Sequence, residues 1–144
     1  MLLFMPTSLD TVLDLALART LVLRYVDIPL GHHHGLGLSD LALLLELRDA
    51  PGEKLRRAEL ASRLGVTTSG VARQLGPLER IGLVGRESNP RDARLALVTL
   101  TDAGRRIAGE ALVTAEEAAD GALRTIWVEA DRERLGELLA QVRS

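Results

Sequence analysis

Between Leu55 and Thr101 the spacing of apolar residues changes twice. Leu60, Ala61 and Leu64 stand at i, i+1 and i+4, on one face of a short helix. Gly65 follows, suited to the left-handed conformation that ends a helix sharply. Thr67 is placed to cap a second helix, on which Val71, Leu75 and Leu78 form a single stripe at i, i+4 and i+7. A rotation of about 100° per residue turns Ser69, Arg73, Gly76 and Arg80 roughly to the opposite side. Period two then takes over. Gly82-Leu83-Val84 closes the helix and opens a strand, and Ser88 to Asp92 is dense in turn formers. A return strand from Arg94 to Leu100 carries Ala96, Val98 and Leu100 on one face.

The flanks read as further helices. Ser8 is the expected cap of a first helix running to about Asp27, where Ile28-Pro29 breaks it. Its apolar set, from Leu9 and Val12 through Leu17 and Leu21 to Val26, is wider than one stripe, so two faces are buried. Leu30 to Gly37 reads as a loop holding His32, His33 and His34. Ser39 is the expected cap of a second helix to about Asp49, with Leu41, Leu44, Leu45 and Leu47 inside. Ala50-Pro51-Gly52 is a turn. After the ribbon, Thr101 caps a helix toward Leu123 whose small residues allow close approach, and Asp102 sits at its positive end. A last helix, from about Ala130 to Val142, carries Leu135, Leu138 and Leu139, and Trp127 anchors the connection before it. Surplus apolar surface on the first and last helices implies a dimer.

A helix-turn-helix followed at once by a hairpin is a winged helix. At these residues the chain resembles the MarR family of bacterial transcriptional regulators. The resemblance is carried by ELASRLGV, then TTSGVARQLGPLERIGLV, then Asp92-Ala93-Arg94 running into LVTLTDAG, in that order and at close spacing. More loosely it extends over nearly the whole chain. It implies a mainly α fold: a winged helix-turn-helix, with a three-helix core plus two-stranded β-wing, flanked by N- and C-terminal dimerisation helices. The implied layout is one domain over residues 1–144, with the winged-helix core at about 39–100 and dimerisation helices at about 8–28 and 101–143. Arg56 departs from the pattern, standing where a capping Thr or Ser is more usual.

Composition agrees with this layout. The chain has 144 residues, 47% of them apolar but only 2% aromatic, so its core must be built from Leu, Val and Ala. It contains no cysteine, which excludes disulfides, thiolate metal sites and a thiol redox switch. No apolar run is long enough for a transmembrane helix, and the opening MLLFM is too short and lacks the basic flank of a secretory signal. A cytoplasmic location is the expectation. The net charge of −2 hides an asymmetry. Lys54 to Arg94 holds nine Lys and Arg against four Asp and Glu, a net of +5, leaving −7 elsewhere. A local cationic surface of this kind suits a nucleic-acid partner.

The candidate site residues follow. Arg56, Arg57, Arg73 and Arg80 are the expected phosphate contacts, and Thr68, Ser69 and Arg73 the expected base-edge contacts at the start of the recognition helix. Arg91 and Arg94 on the wing would reach an adjacent minor groove or its phosphates. Asp92 supports the wing by holding an arginine, because a carboxylate near phosphate is repelled. Pro77 lies inside the recognition helix, where it removes a backbone donor and favours a bend. The expected partners are double-stranded DNA, a second copy of the chain and a small apolar or anionic effector; no membrane and no cofactor is expected. No nucleophile, phosphate loop or acid–base constellation is present, so no enzyme is expected. Two other readings fit parts of the sequence. One is a winged helix used for protein–protein assembly. The other is a metal-responsive regulator using the His32–His34 loop, although adjacent histidines rarely aim at one ion.

Overall fold

The computed structural model describes residues 5–143. The apolar opening weighed as a signal segment therefore lies, but for Met5, outside the described residues. Six α-helices run α1 (Ser8–His34), α2 (Leu38–Asp49), α3 (Arg57–Leu64), α4 (Thr68–Arg80), α5 (Asp102–Ile126) and α6 (Glu129–Ala140) among the described residues. Three strands, β1 (Lys54–Arg56), β2 (Val84–Glu87) and β3 (Leu97–Leu100), make one antiparallel sheet in the order β1-β3-β2. The fold is the expected mainly α winged helix, with one addition. The wing pair, Val84 opposite Leu100 and Glu87 opposite Leu97, is joined by β1, which sets Leu55 against Val98.

The core is aliphatic. Leu43, Leu44 and Leu47 of α2, Leu60 of α3, and Val71, Leu75 and Leu78 of α4 are buried together with Ala108 and Ala111 of α5. The stripe on α4 is thus the one its spacing predicts. On α2, Leu43 is buried as well, whereas Leu45 lies at the core's edge. Alanines at 108, 111 and 115 let α5 lie close to α1 and α2.

Four boundaries differ from expectation. Pro29 does not end α1, which continues to His34. Proline costs the helix one backbone bond, but Val26 and Leu30 on either side are buried in the core and hold the segment helical. The helix ends instead at Gly35, whose φ of 66° is left-handed. The Gly35 N–H donates to the Gly31 carbonyl and the Leu36 N–H to that of Leu30, with Leu30 and Leu36 both buried. The histidine triplet therefore occupies the last turn of α1, not a loop. The caps also move. Thr7, not Ser8, caps α1 by accepting the Asp10 N–H at 3.1 Å, and Asp10 accepts the Thr7 N–H in return. Gly37, not Ser39, precedes α2. Finally, the return strand begins at Leu97; Arg94 lies before it in a single 3₁₀ turn, Ala93–Leu95.

Candidate nucleic-acid interface

The helix-turn-helix is built as its sequence dictates. Gly65 ends α3 with φ 66°, and its N–H donates to the carbonyls of Ala61 and Ser62. Two residues on, the Thr67 hydroxyl accepts the Gly70 N–H at 3.0 Å and opens α4. With Arg56 offering no side-chain cap to α3, Glu59 supplies one from inside: its Oε2 accepts the Arg56 N–H at 3.1 Å. Burial of Val71, Leu75 and Leu78 fixes the rotation of α4, so Thr68, Ser69, Ala72 and Arg73 are exposed along its N-terminal half. Ser69 Oγ lies 3.2 Å from Thr67 Oγ1. Arg80 is exposed too, but a rise of about 1.5 Å per residue sets it roughly 16 Å along the axis from Ser69. Pro77 sits within α4, which continues to Arg80.

On the wing, Asp92 Oδ1 accepts the Arg94 backbone N–H at 2.9 Å and lies 3.3 Å from its Nε. The guanidinium remains in solvent, with 93% of the side chain exposed. Asn89 Oδ1 accepts the Arg91 N–H at 2.9 Å, an Asx-type turn that shapes the wing tip.

Ion pairing separates the cations of this segment into two groups. Arg86 is bonded to Glu79 at 2.6 Å, Lys54 to Glu87, and Arg63 lies 3.6 Å from Glu46. The Glu79 hydrogen bond, with its charge, raises the Arg86 pKa further above its ordinary value. Arg56, Arg57, Arg73, Arg80 and Arg91 have no carboxylate within salt-bridge distance among the described residues. Lys54, Arg63 and Arg86, tied to carboxylates, brace the sheet, α2 and α4, whereas Arg94, beside Asp92, stays in solvent. The untied ones keep their charge available to a polyanion.

A family model described as the MarR family matches residues 34–95. That span covers the end of α1, the helix-turn-helix and the first part of the wing, and the whole fold agrees with it. Over these 62 residues the chain is similar to the MarR family. An HTH-type transcriptional regulator of Bacillus subtilis (strain 168), YdgJ, is 37% identical over 71 residues, 49% of this chain and 42% of that relative. The chain thus matches less than half the length of that relative. Sco3205, a MarR-family regulator from Streptomyces coelicolor in complex with DNA, superposes with a TM-score of 0.80 at 27% identity, covering 94% of this chain and 86% of that one. The transcriptional repressor CouR of Rhodococcus jostii RHA1, bound to a 23-mer DNA duplex, superposes with a TM-score of 0.78 at 25% identity, covering 91% and 90%.

The sequence-predicted residues fall into three groups. Thr68, Ser69 and Arg73 share the start of α4, Arg91 and Arg94 share the wing tip, and Arg56 and Arg57 share the start of α3. Arg80 stands apart. Sequence reasoning missed Gln74, half-buried beside Arg73, whose amide reaches Asp40 of α2. It also missed the carboxylates that occupy Lys54 and Arg86. No local pattern signals these pairs, because each joins separate elements. Among the described residues no three His, Cys, Asp or Glu side chains group as a metal site. His34 Nε2 lies instead 2.8 Å from Thr114 Oγ1 of α5. No described helix is long and apolar enough to cross a membrane.

Proposed function

We propose that the chain is a homodimeric, sequence-specific double-stranded DNA-binding transcription regulator, a ligand-responsive repressor. One observation carries the reading: Arg73 is exposed and unpaired beside Thr68 and Ser69 at the start of α4, while neighbouring cations off that surface are tied to carboxylates. A helix that is slim and polar at its N-terminus and cationic along its side suits a major groove. In this reading Thr68, Ser69 and Arg73 meet base edges. Arg56, Arg57 and Arg80 meet phosphates, and Arg91 and Arg94 follow the neighbouring backbone or minor groove. Asp92 holds Arg94 at the angle the wing requires. The DNA-bound state of Sco3205 and CouR, which share the fold, supports this assignment.

The second copy is supported by apolar residues left outside the protomer. Leu9, Val12, Leu13, Leu17 and Leu21 of α1 and Leu138 and Leu139 of α6 are exposed. So large an apolar surface marks an interaction site. The chain is then one domain whose winged-helix core, about 39–100, is carried between dimerisation helices. An effector would enter the cleft of about 770 Å³ between α1 and α5, where Tyr25, His33 and His34 face Thr114 and Glu117. Its binding would shift the spacing of the two recognition helices by population shift.

Selection of duplexes from a random pool by the purified protein tests the reading, followed by footprinting on the selected sequence. A protected two-fold-symmetric site is the expected result. Failure to retain any duplex at low salt would overturn it.

A further inference from the structure

Three polar side chains unused by the DNA surface connect α1 to α4. Asp27, two turns before the end of α1, accepts the Leu38 N–H through Oδ1 at 2.7 Å. Asp40 accepts the Gly37 N–H through Oδ2 at 3.0 Å. Both amides are orphan donors at the start of α2, whose cap residue is a glycine with no side chain to offer. The two carboxylates also meet the positive end of that helix. The second oxygen of Asp40 is then free for α4: Oδ1 accepts Nε2 of Gln74 at 3.2 Å. A carboxylate only accepts, so the amide face turned to it must be the NH₂. Asp27, Asp40 and Gln74 are all half-buried, where such bonds are little diluted by water.

We propose that Asp40 and Gln74 are positioning residues for DNA recognition. Through them the start of α2, itself pinned to α1 by Asp27, fixes the rotation of the recognition helix. Apolar packing of Val71, Leu75 and Leu78 seats α4 but tolerates small rolls, because aliphatic contacts are not directional. The Gln74 bond is directional. Gln74 is the neighbour of Arg73, so a roll of α4 that breaks the bond also swings Arg73 across the groove edge. The same bond makes α2 and α4 move together whenever α1 shifts.

This inference rests on the DNA reading, and its test separates the two. Gln74→Met removes the bond without adding charge. Gln74→Glu sets a carboxylate against Asp40. Asp40→Asn keeps an oxygen for the Gly37 N–H and offers an NH₂ that Gln74, turned over, or a glutamate at 74 can accept. Binding is measured on the duplex selected by the wild-type protein and on a scrambled duplex, with thermal unfolding alongside. Gln74→Met and Gln74→Glu should each lower the selected-to-scrambled affinity ratio about tenfold, as the loss of one hydrogen bond to a charged group implies. Asp40→Asn should keep the ratio, and Asp40→Asn combined with Gln74→Glu should restore most of it. A Gln74→Glu loss that Asp40→Asn does not rescue would mean that residue 74 meets DNA itself, and would overturn the proposal. An unchanged ratio with only a lower Tm would reduce the bond to a structural tie, and would overturn it too. If the wild-type protein selects no duplex, the DNA reading fails first and takes the inference with it.

Discussion

Gly104 packs directly on the backbone of Leu83: a Cβ at Gly104 would stand 2.0 Å from the Leu83 carbonyl oxygen and 2.8 Å from Leu100 Cδ1. Around this contact the wing is fastened to α5. The Thr101 hydroxyl donates to the Gly82 carbonyl at 2.6 Å and accepts the Gly104 N–H at 2.9 Å, while the Thr101 N–H donates to the Leu83 carbonyl at 3.2 Å. One threonine thus caps α5 and closes the end of α4 onto it.

Gly104→Ala should therefore destabilise the fold. Overpacking costs about 1–3 kcal/mol, and the upper end applies because the obstacle is backbone, which cannot rotate aside. Chemical denaturation would check this, with Gly109→Ala as the control, since Gly109 has open space around it and lies within the same helix. A stable Gly104→Ala protein would mean that α5 is free to slide along β3.

The N-terminus of α1 should respond to acid. The Thr7 hydroxyl and N–H both donate to Asp10 Oδ2, and these bonds hold the Asp10 carboxyl below the ordinary aspartate value. Because its folded pKa is lowered, its contribution is present in full above the unfolded value. It is lost as pH falls through the folded one. Faster amide exchange in the first turn of α1 at low pH is the expected outcome, and Asp10→Asn should remove the dependence. A titration of the Asp10 carboxyl at its ordinary value would contradict it.

Much of the winged helix is legible in the sequence because its signals are local. The stripe Val71, Leu75, Leu78 lies within α4 and the cap Thr67 immediately before it, and both appear as read. What escaped depends on residues far apart in the chain. β1 is three residues long and exists only because Lys54 to Arg56 find Leu97 to Thr99. Pro29 is a local breaker overruled by the burial of Leu30, a tertiary effect that no window around the proline contains. The Gln74–Asp40 bond spans 34 positions, and Gln74 alone looks like one more polar residue on an exposed helix. The cationic surface is half legible: arginine positions are in the sequence, but which of them a carboxylate neutralises is decided by the fold.

Leu138→Glu should weaken self-association and spare the protomer. Leu138 is 46% exposed, so the new carboxylate has water within the single chain. In a dimer that covers α6 it would be buried without a partner. The dimer dissociation constant, measured by sedimentation, should rise by about tenfold or more. A lowered Tm with unaltered association would place Leu138 in the protomer's own packing.

Arg73→Ala and Arg94→Ala should fail in different ways. Arg73 projects from the exposed face of α4, unpaired, one residue from the Asp40-held Gln74. If it reads a base edge, its loss costs about 1–3 kcal/mol on the selected duplex and less on a scrambled one. Arg94 extends into solvent from a 3₁₀ turn braced by Asp92. If it meets phosphate, its loss weakens every sequence alike and flattens the slope of log K against log salt by about one charge per subunit. Entry of Arg94 into a narrow minor groove would instead make its loss depend on A·T-rich flanks. Asp92→Ala should act in the same direction as Arg94→Ala but more weakly, since the guanidinium remains and only its brace is gone. Fluorescence anisotropy on selected and scrambled duplexes at several salt concentrations separates these outcomes. Unchanged binding by both arginine variants on every duplex would remove the winged-helix mechanism and leave protein–protein assembly as the use of this surface.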